Sequence, residues 1–331
     1  MDKIEIKDID VEFYFNLIKE PNLGIRRIDF IGPLRGLENL MTEYFSLKLY
    51  FEYYFICLVH KHFEKIVKMS PKSIENWCKY IDKKYKIKFY NQHGEKTNST
   101  KFTEKLIDAL GYKKLQEKEL KIHFKKHGIN SCVYCNCQYT VNFINNQKEA
   151  SNYQIDHIFP KSKYPFFSVS LFNLVPSCAN CNLNKGSIKF ELDKYCHPYI
   201  ESFSVLFNFA IDEDIKSLTS VIKKESEIKI EITNKKNLKV KNHDELFDLT
   251  GIYSNFSNIA AEIIELGRFL PKSKREELLN KYNSENSGTK LIPDIETLDR
   301  IILRAYPNSN AHNERPLSKF IGDIARYGDY F

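Results

Sequence analysis

The sequence predicts an α+β protein that is mainly helical, and three observations carry that expectation. Apolar residues recur at steps of three and four towards both ends of the chain. That period disappears between Asn130 and His197, where six of the eight cysteines fall within 65 residues. A short alternation of isoleucines with charged residues then begins at Ile228. At 331 residues the chain is about twice the usual length of one domain. We therefore expect a helical N-terminal region (1–128), a cysteine-rich unit (129–197) and a mainly helical C-terminal region (198–331) with a β-hairpin near 226–241.

Composition narrows the class before any motif is read. Hydrophobic residues make up 42%, with 24 Phe and 20 Tyr against 12 Gly and 11 Pro, which excludes a disordered, collagen-like or linker-dominated chain. The formal charge of +7 permits contact with phosphate backbones without requiring it. The first ten residues hold no apolar run of the roughly 7–15 residues an export signal needs. The most apolar stretch, Tyr44 to Val59, carries Lys48 and Glu52, and charges at that depth argue against a membrane span. The expected location is the cytoplasm, where thiols stay reduced and paired cysteines read as metal ligands.

Taken in order, Leu37, Leu40, Met41, Tyr44, Leu47, Phe51, Tyr54, Phe55, Leu58 and Val59 mark one long buried helix that starts after Gly32-Pro33. Ser70-Pro71 opens a second helix through Trp77 and Tyr80. Asn91 to Thr100 reads as a polar loop. Two shorter helices near 101–110 and 115–127 stop at Gly111 and Gly128, where a left-handed cap favours glycine. In the last third, Ile228, Ile230 and Ile232 form one arm of the hairpin, Asn234 to Asn237 its turn, and Leu238 and Val240 the other arm. Phe256, Ile259, Ile263 and Leu266 mark one amphipathic helix. Leu317, Phe320, Ile321, Ile324 and Tyr327 mark another, started by Pro316, with a polar loop at Asn283 to Thr289 between them.

Cys132-Val133-Tyr134-Cys135 and Cys178-Ala179-Asn180-Cys181 are two C-x-x-C knuckles. Each spacing brings two thiolates to one tetrahedral Zn2+ at about 2.3 Å, and four thiolates close the shell, so this zinc holds structure and does no chemistry. Forty-two residues separate the knuckles, more than a plain ribbon needs, so a folded insert is expected there. Cys137 could replace a ligand and Cys196-His197 could offer a second donor pair; Cys57 and Cys78 read as small core residues.

The insert contains Ile155-Asp156-His157-Ile158-Phe159-Pro160-Lys161-Ser162, then Asn173-Leu174-Val175-Pro176, and the second knuckle runs on into Asn182-Leu183-Asn184-Lys185-Gly186. Adjacent Asp156 and His157 at a strand end place a hard oxygen ligand beside a neutral base. A short helix starting near Cys178 and ended by Gly186 turns Asn182 towards the strand, with Lys185 one turn further on the same face. A carboxylate and an amide oxygen suit Mg2+ or Mn2+ and leave positions open for water and phosphate. Taken singly, these residues read first as turn, cap and half-buried polar residues, and only their combination points to a site.

Two C-x-x-C pairs bracketing D-H-I-x-P-K-S, followed by N-L-x-P-S-C-x-x-C-N-x-x-K, resemble the HNH nucleases. The resemblance covers Ser131 to Lys189, under a fifth of the chain. It implies a zinc-stapled ββα-metal unit that hydrolyses phosphodiester bonds. His157 matches the general base, Asp156 the carboxylate on the divalent ion and Asn173 the asparagine that braces the loop. Asn182 stands where many members carry a last histidine as a metal ligand, an exchange that favours Mg2+ over softer ions. Lys161 and Lys185 are expected on phosphates. Lys163-Tyr164-Pro165-Phe166-Phe167 and Leu171-Phe172-Asn173-Leu174 also resemble the anti-phage branch that includes Septu- and retron-associated nucleases.

The implied substrate is DNA, with RNA the second nucleic acid the same chemistry would take, and the implied partner is an ATPase or other defence-system protein. No element reads as a base-specific recognition helix, so recruitment is expected to supply targeting. The same residues have an alternative reading from another class, a non-catalytic zinc-ribbon module that only binds nucleic acid or a partner.

Overall fold

A computed structural model describes residues 1–19, 32–84, 98–117, 119–145, 148–211, 228–285, 292–308, 310–328 and 330–331. The chain divides into two compact units that interleave along the sequence. One comprises Ile4–Gly128 and Thr140–Ile200, the other Met1–Lys3, Ile129–Tyr139 and Glu201–Phe331.

In the first of these, helices α1 (Asp8–Lys19), α2 (Pro33–Ser46), α3 (Tyr50–Lys61), α4 (Phe63–Val67), α5 (Pro71–Lys84), α6 (Asn98–Ala109), α7 (Tyr112–Glu117) and α8 (Glu119–Lys126) precede a β-hairpin, β1 (Asn142–Asn145) and β2 (Lys148–Ser151). A second antiparallel pair, β3 (Gln154–His157) and β4 (Leu174–Ser177), leads into the short helix α9 (Ala179–Lys185). The predicted starts at Pro33 and Pro71 hold, and Gly111 and Gly128 take φ of 71° and 63°, the left-handed region that ends helices.

The single long helix expected over 37–59 is two helices. Lys48 adopts φ 58°, and the Leu49 amide donates to the Tyr44 carbonyl at 3.1 Å, a closure that ends α2 and turns the chain into α3. A lysine at this conformation costs about 1 kcal/mol and carries no glycine signal, which is why the periodicity ran straight through it. The aromatic stripe is correspondingly split: Tyr44 and Phe55 are buried, whereas Phe45, Tyr50, Phe51 and Tyr54 are exposed. Of the predicted loop Asn91 to Thr100, residues 98–100 open α6 and 91–97 lie outside the described residues.

This helical layer holds the site's loop from behind. Phe55 meets Phe102 and Phe166 edge-on at 6.2 and 5.6 Å, Ser170 donates to the Ile66 carbonyl at 2.7 Å, and the Tyr14 hydroxyl donates to the Val169 carbonyl at 3.0 Å. Each such aromatic pair adds about 0.5–1.5 kcal/mol beyond the area it buries. Gly36 lets α2 approach α6 closely, since a Cβ there would fall 2.1 Å from the Ala109 carbonyl oxygen.

The other unit carries a two-stranded sheet, β5 (Phe209–Ile211) with β6 (Ile230–Ile232), and helices α10 (Leu238–Phe247), α11 (Leu249–Ser254), α12 (Ser257–Phe269), α13 (Lys272–Glu285), α14 (Ile295–Leu303) and α15 (Ser318–Tyr327). The predicted stripes of α12 and α15 bury Ile263 and Phe320, and the Phe209, Tyr253 and Phe320 rings meet at 4.2 to 5.4 Å. The hairpin is corrected in its second arm. Leu238 and Val240 lie in α10, and β6 pairs with β5 instead. Asn237 is the reason: its side chain accepts the Lys239 amide at 3.0 Å, an N-cap that starts a helix where alternation suggested a strand. Residues 226–227 lie outside the described residues, as do 286–289 of the predicted loop 283–289, whose first residues close α13.

Candidate active site: an Asp-His pair on a strand-helix finger

Strand β3 pairs with β4 so that Asp156 stands opposite Val175 and His157 opposite Leu174, and α9 packs against β3. Ile155, Asp156 and His157 are all buried, so both faces of the strand are covered and the usual in-out alternation is lost.

His157 donates from Nε2 to the Ser168 carbonyl, 3.0 Å away. Because a carbonyl only accepts, Nε2 carries the proton and Nδ1 keeps the lone pair. Burial, with the positive charge of Lys161 second, holds the imidazole well below its usual range, so it is neutral at pH 7. Its ring packs against Tyr112 at a centroid distance of 4.7 Å, and the Tyr112 hydroxyl donates to the Ile155 carbonyl at 3.2 Å.

Asn173 spans the loop that leaves β3. Its amide oxygen accepts from the Phe159 amide at 2.7 Å, and its amide nitrogen donates to the Phe159 and Phe167 carbonyls at 3.1 and 3.0 Å. Asn182, half-buried on α9, donates its amide nitrogen to Gln154 Oε1 on β3. Lys161 is half-buried, with Nζ 4.5 Å from the Tyr112 ring centre; burial lowers its pKa and Asp156 partly offsets that.

Lys185 departs from expectation. Predicted on a phosphate, it is fully enclosed, with its ammonium 3.1 Å from Asp156 Oδ2 and 2.6 Å from the His157 carbonyl oxygen. The last turn of α9 points this side chain inward across β3, so its hydrogen bonds go to the finger itself.

The Sγ atoms of Cys132, Cys135, Cys178 and Cys181 lie within 4.8 Å of one another, and all four residues are buried. A tetrahedral zinc with bonds of about 2.3 Å needs sulfurs about 3.8 Å apart, so this cluster fits the ion after shifts of an ångström or less. The first knuckle shows the hydrogen bonding that thiolates favour: Cys137 donates its amide to Cys135 Sγ at 3.4 Å. Its backbone is held by His243 Nε2 at 2.9 Å from the Tyr134 carbonyl, and by the Tyr253 hydroxyl at 2.7 Å from the Cys135 carbonyl. Among the described residues no other group of three or more His, Cys, Asp or Glu side chains gathers in this way, so Cys196-His197 adds no second cluster.

Comparison with known proteins addresses the same stretch. Residues 132–189 match the family model described as HNH endonuclease. Septu protein PtuB of Bacillus thuringiensis is 31% identical over 96 residues, 28% of this chain and 35% of that protein. Protein ea31 of Escherichia phage lambda is 46% identical over 50 residues, 14% of this chain and 17% of that protein. The matches thus span about a third or less of these relatives' length. No solved structure matches the chain. Among the described residues no helix is long and apolar enough to cross a membrane.

Sequence reasoning singled out Asp156, His157, Asn173 and Asn182 but missed Tyr112, which lies outside the matched range and carries no local signal beyond following Gly111. It also missed His243 and Tyr253, whose roles at the first knuckle arise only from tertiary packing.

Proposed function

We propose that this chain is a metal-dependent HNH endonuclease that hydrolyses phosphodiester bonds in DNA and serves as the effector of a bacterial anti-phage system. The observation that carries the reading is the neutral, tautomer-fixed His157 beside Asp156 on β3, inside the stretch that matches the endonuclease family. The likeness to a Septu protein supports the defence setting.

His157 takes a proton from water at Nδ1. The water oxygen forms a bond to phosphorus as the bond to the 3′ oxygen breaks; that oxygen leaves with the electron pair and takes a proton from solvent, giving a 3′ hydroxyl and a 5′ phosphate. Ser168 keeps the base in the required tautomer and Tyr112 fixes the ring's plane. Asn173 holds the loop around the base. The donor chemistry of Asp156 and the Asn182 amide oxygen suits a hard divalent ion, and these two residues would hold it. When bound, Mg2+ or Mn2+ supplies positive charge to the phosphate oxygens in the transition state. The four cysteines would hold a structural zinc. Lys161, half-buried with its ammonium over the Tyr112 ring, would meet phosphate.

Purified, zinc-loaded chain incubated with supercoiled plasmid tests the reading. Nicking in Mg2+ or Mn2+ that stops in chelator is expected, whereas DNA retained but uncut in every metal would favour the binding-module alternative.

A further inference from the structure

We infer that Lys185 is an internal cation that opposes the divalent ion at Asp156 while fixing Asp156 and the His157 backbone in place, and is therefore a positioning residue that tunes metal affinity. The inference rests on the reading of Asp156 as a ligand of the divalent ion.

An ammonium has three N–H donors and no acceptor. In this site they face the His157 carbonyl oxygen at 2.6 Å and both Asp156 oxygens at 3.1 and 3.3 Å, while the Phe190 ring lies 5.3 Å below. The side chain has no exposed surface, so it has no route to a nucleic-acid phosphate. One side chain thus joins α9 to two consecutive residues of β3, the two that carry the chemistry.

The electrostatics give this tie a second consequence. Asp156 without a metal is already balanced by Lys185. A divalent ion at the same carboxylate must sit close to that ammonium, and like charges a few ångströms apart in a poorly solvated site repel strongly. Lys185 therefore weakens metal binding and strengthens the geometry on which rate depends. A lysine that is only structural, or only a phosphate contact, would not do both.

The test measures Mn2+ binding by calorimetry on the full zinc-loaded chain, alongside melting temperature and plasmid-cutting kinetics. Lys185→Met removes the charge, Lys185→Gln removes it but keeps a donor for the His157 carbonyl, and Lys185→Arg keeps the charge. Expected is a tenfold or greater fall in the Mn2+ dissociation constant for the two neutral variants, with Arg near wild type; the size is an order-of-magnitude expectation from charge removal. The kcat of the neutral variants should fall roughly 10–100-fold while KM for DNA changes little. Unchanged or weaker Mn2+ binding in folded neutral variants overturns the inference. A raised KM with intact kcat overturns it in favour of a phosphate contact, and loss of folding in both neutral variants overturns it in favour of a purely structural lysine. The underlying reading fails separately, if Asp156→Asn binds Mn2+ as the wild type does.

Discussion

His157 illustrates how a single side chain takes its properties from neighbours distant in sequence. Its tautomer is set by Ser168, its neutrality by burial and by Lys161, and its ring plane by Tyr112. The Asp-His dipeptide was readable in the sequence because two chemically complementary groups stood together at a strand end. Tyr112 was not, because nothing in a helix start announces which ring it will touch. Its contribution can be separated into two parts. Tyr112→Phe keeps the ring and loses the hydrogen bond to Ile155, so it should cost about 1 kcal/mol of stability and leave the cutting rate near wild type. Tyr112→Leu removes the flat wall, so kcat should fall about tenfold or more with little change in DNA retention. Equal rates for all three chains, compared in one cutting assay with a melting curve for each, would show that the ring does not orient the base.

At the scale of elements, the strand-helix finger followed from sequence more closely than the helices around it. The extent of α9 was set by Cys178 at its start and Gly186 at its end, where φ 48° with ψ −123° is open to glycine and costly for other residues. The break between α2 and α3 and the partner of β6 were missed for a common reason: short apolar runs fit more than one period, and a lone lysine or asparagine decided the outcome. The cysteine cluster yields a prediction at this scale. Carefully prepared protein should contain about one zinc per chain, since one closed site is apparent among the described residues. Replacing Cys132 and Cys135 together by serine should remove it and leave the protein poorly soluble, because structural zinc contributes folding free energy directly. Elemental analysis of both proteins decides this. Full zinc content in the double variant would place the ion elsewhere.

Across the whole molecule, several histidines are buried neutral. Burial pushes His123 down to about 3 and His243 down to about 4, and holds His157 low as well. Each charges only on unfolding, so the unfolded chain binds more protons below its ordinary value of about 6.5 and stability falls as pH drops from there. The decline should end near the folded-state values, where both states are protonated. The loss at pH 5 is on the order of 2 kcal/mol each for His123 and His243, enough to lower the melting temperature by several degrees. His123 isolates this effect from zinc release, since neither of its ring nitrogens has a partner among the described residues. His123→Leu should match or exceed wild-type stability at pH 7 and show a shallower decline towards pH 5; parallel melting curves against pH would contradict it. Composition and charge alone left the activity open, and the site became specific only where two cysteine pairs, the Asp-His pair and two asparagines coincided in one stretch. The proposed hydrolysis depends most directly on proton transfer to His157. Cutting of supercoiled plasmid in Mg2+ should fall roughly 10²–10⁴-fold in His157→Ala, with zinc content, melting temperature and DNA retention near wild type. A His157→Ala chain that cuts at the wild-type rate under the same Mg2+ would contradict it.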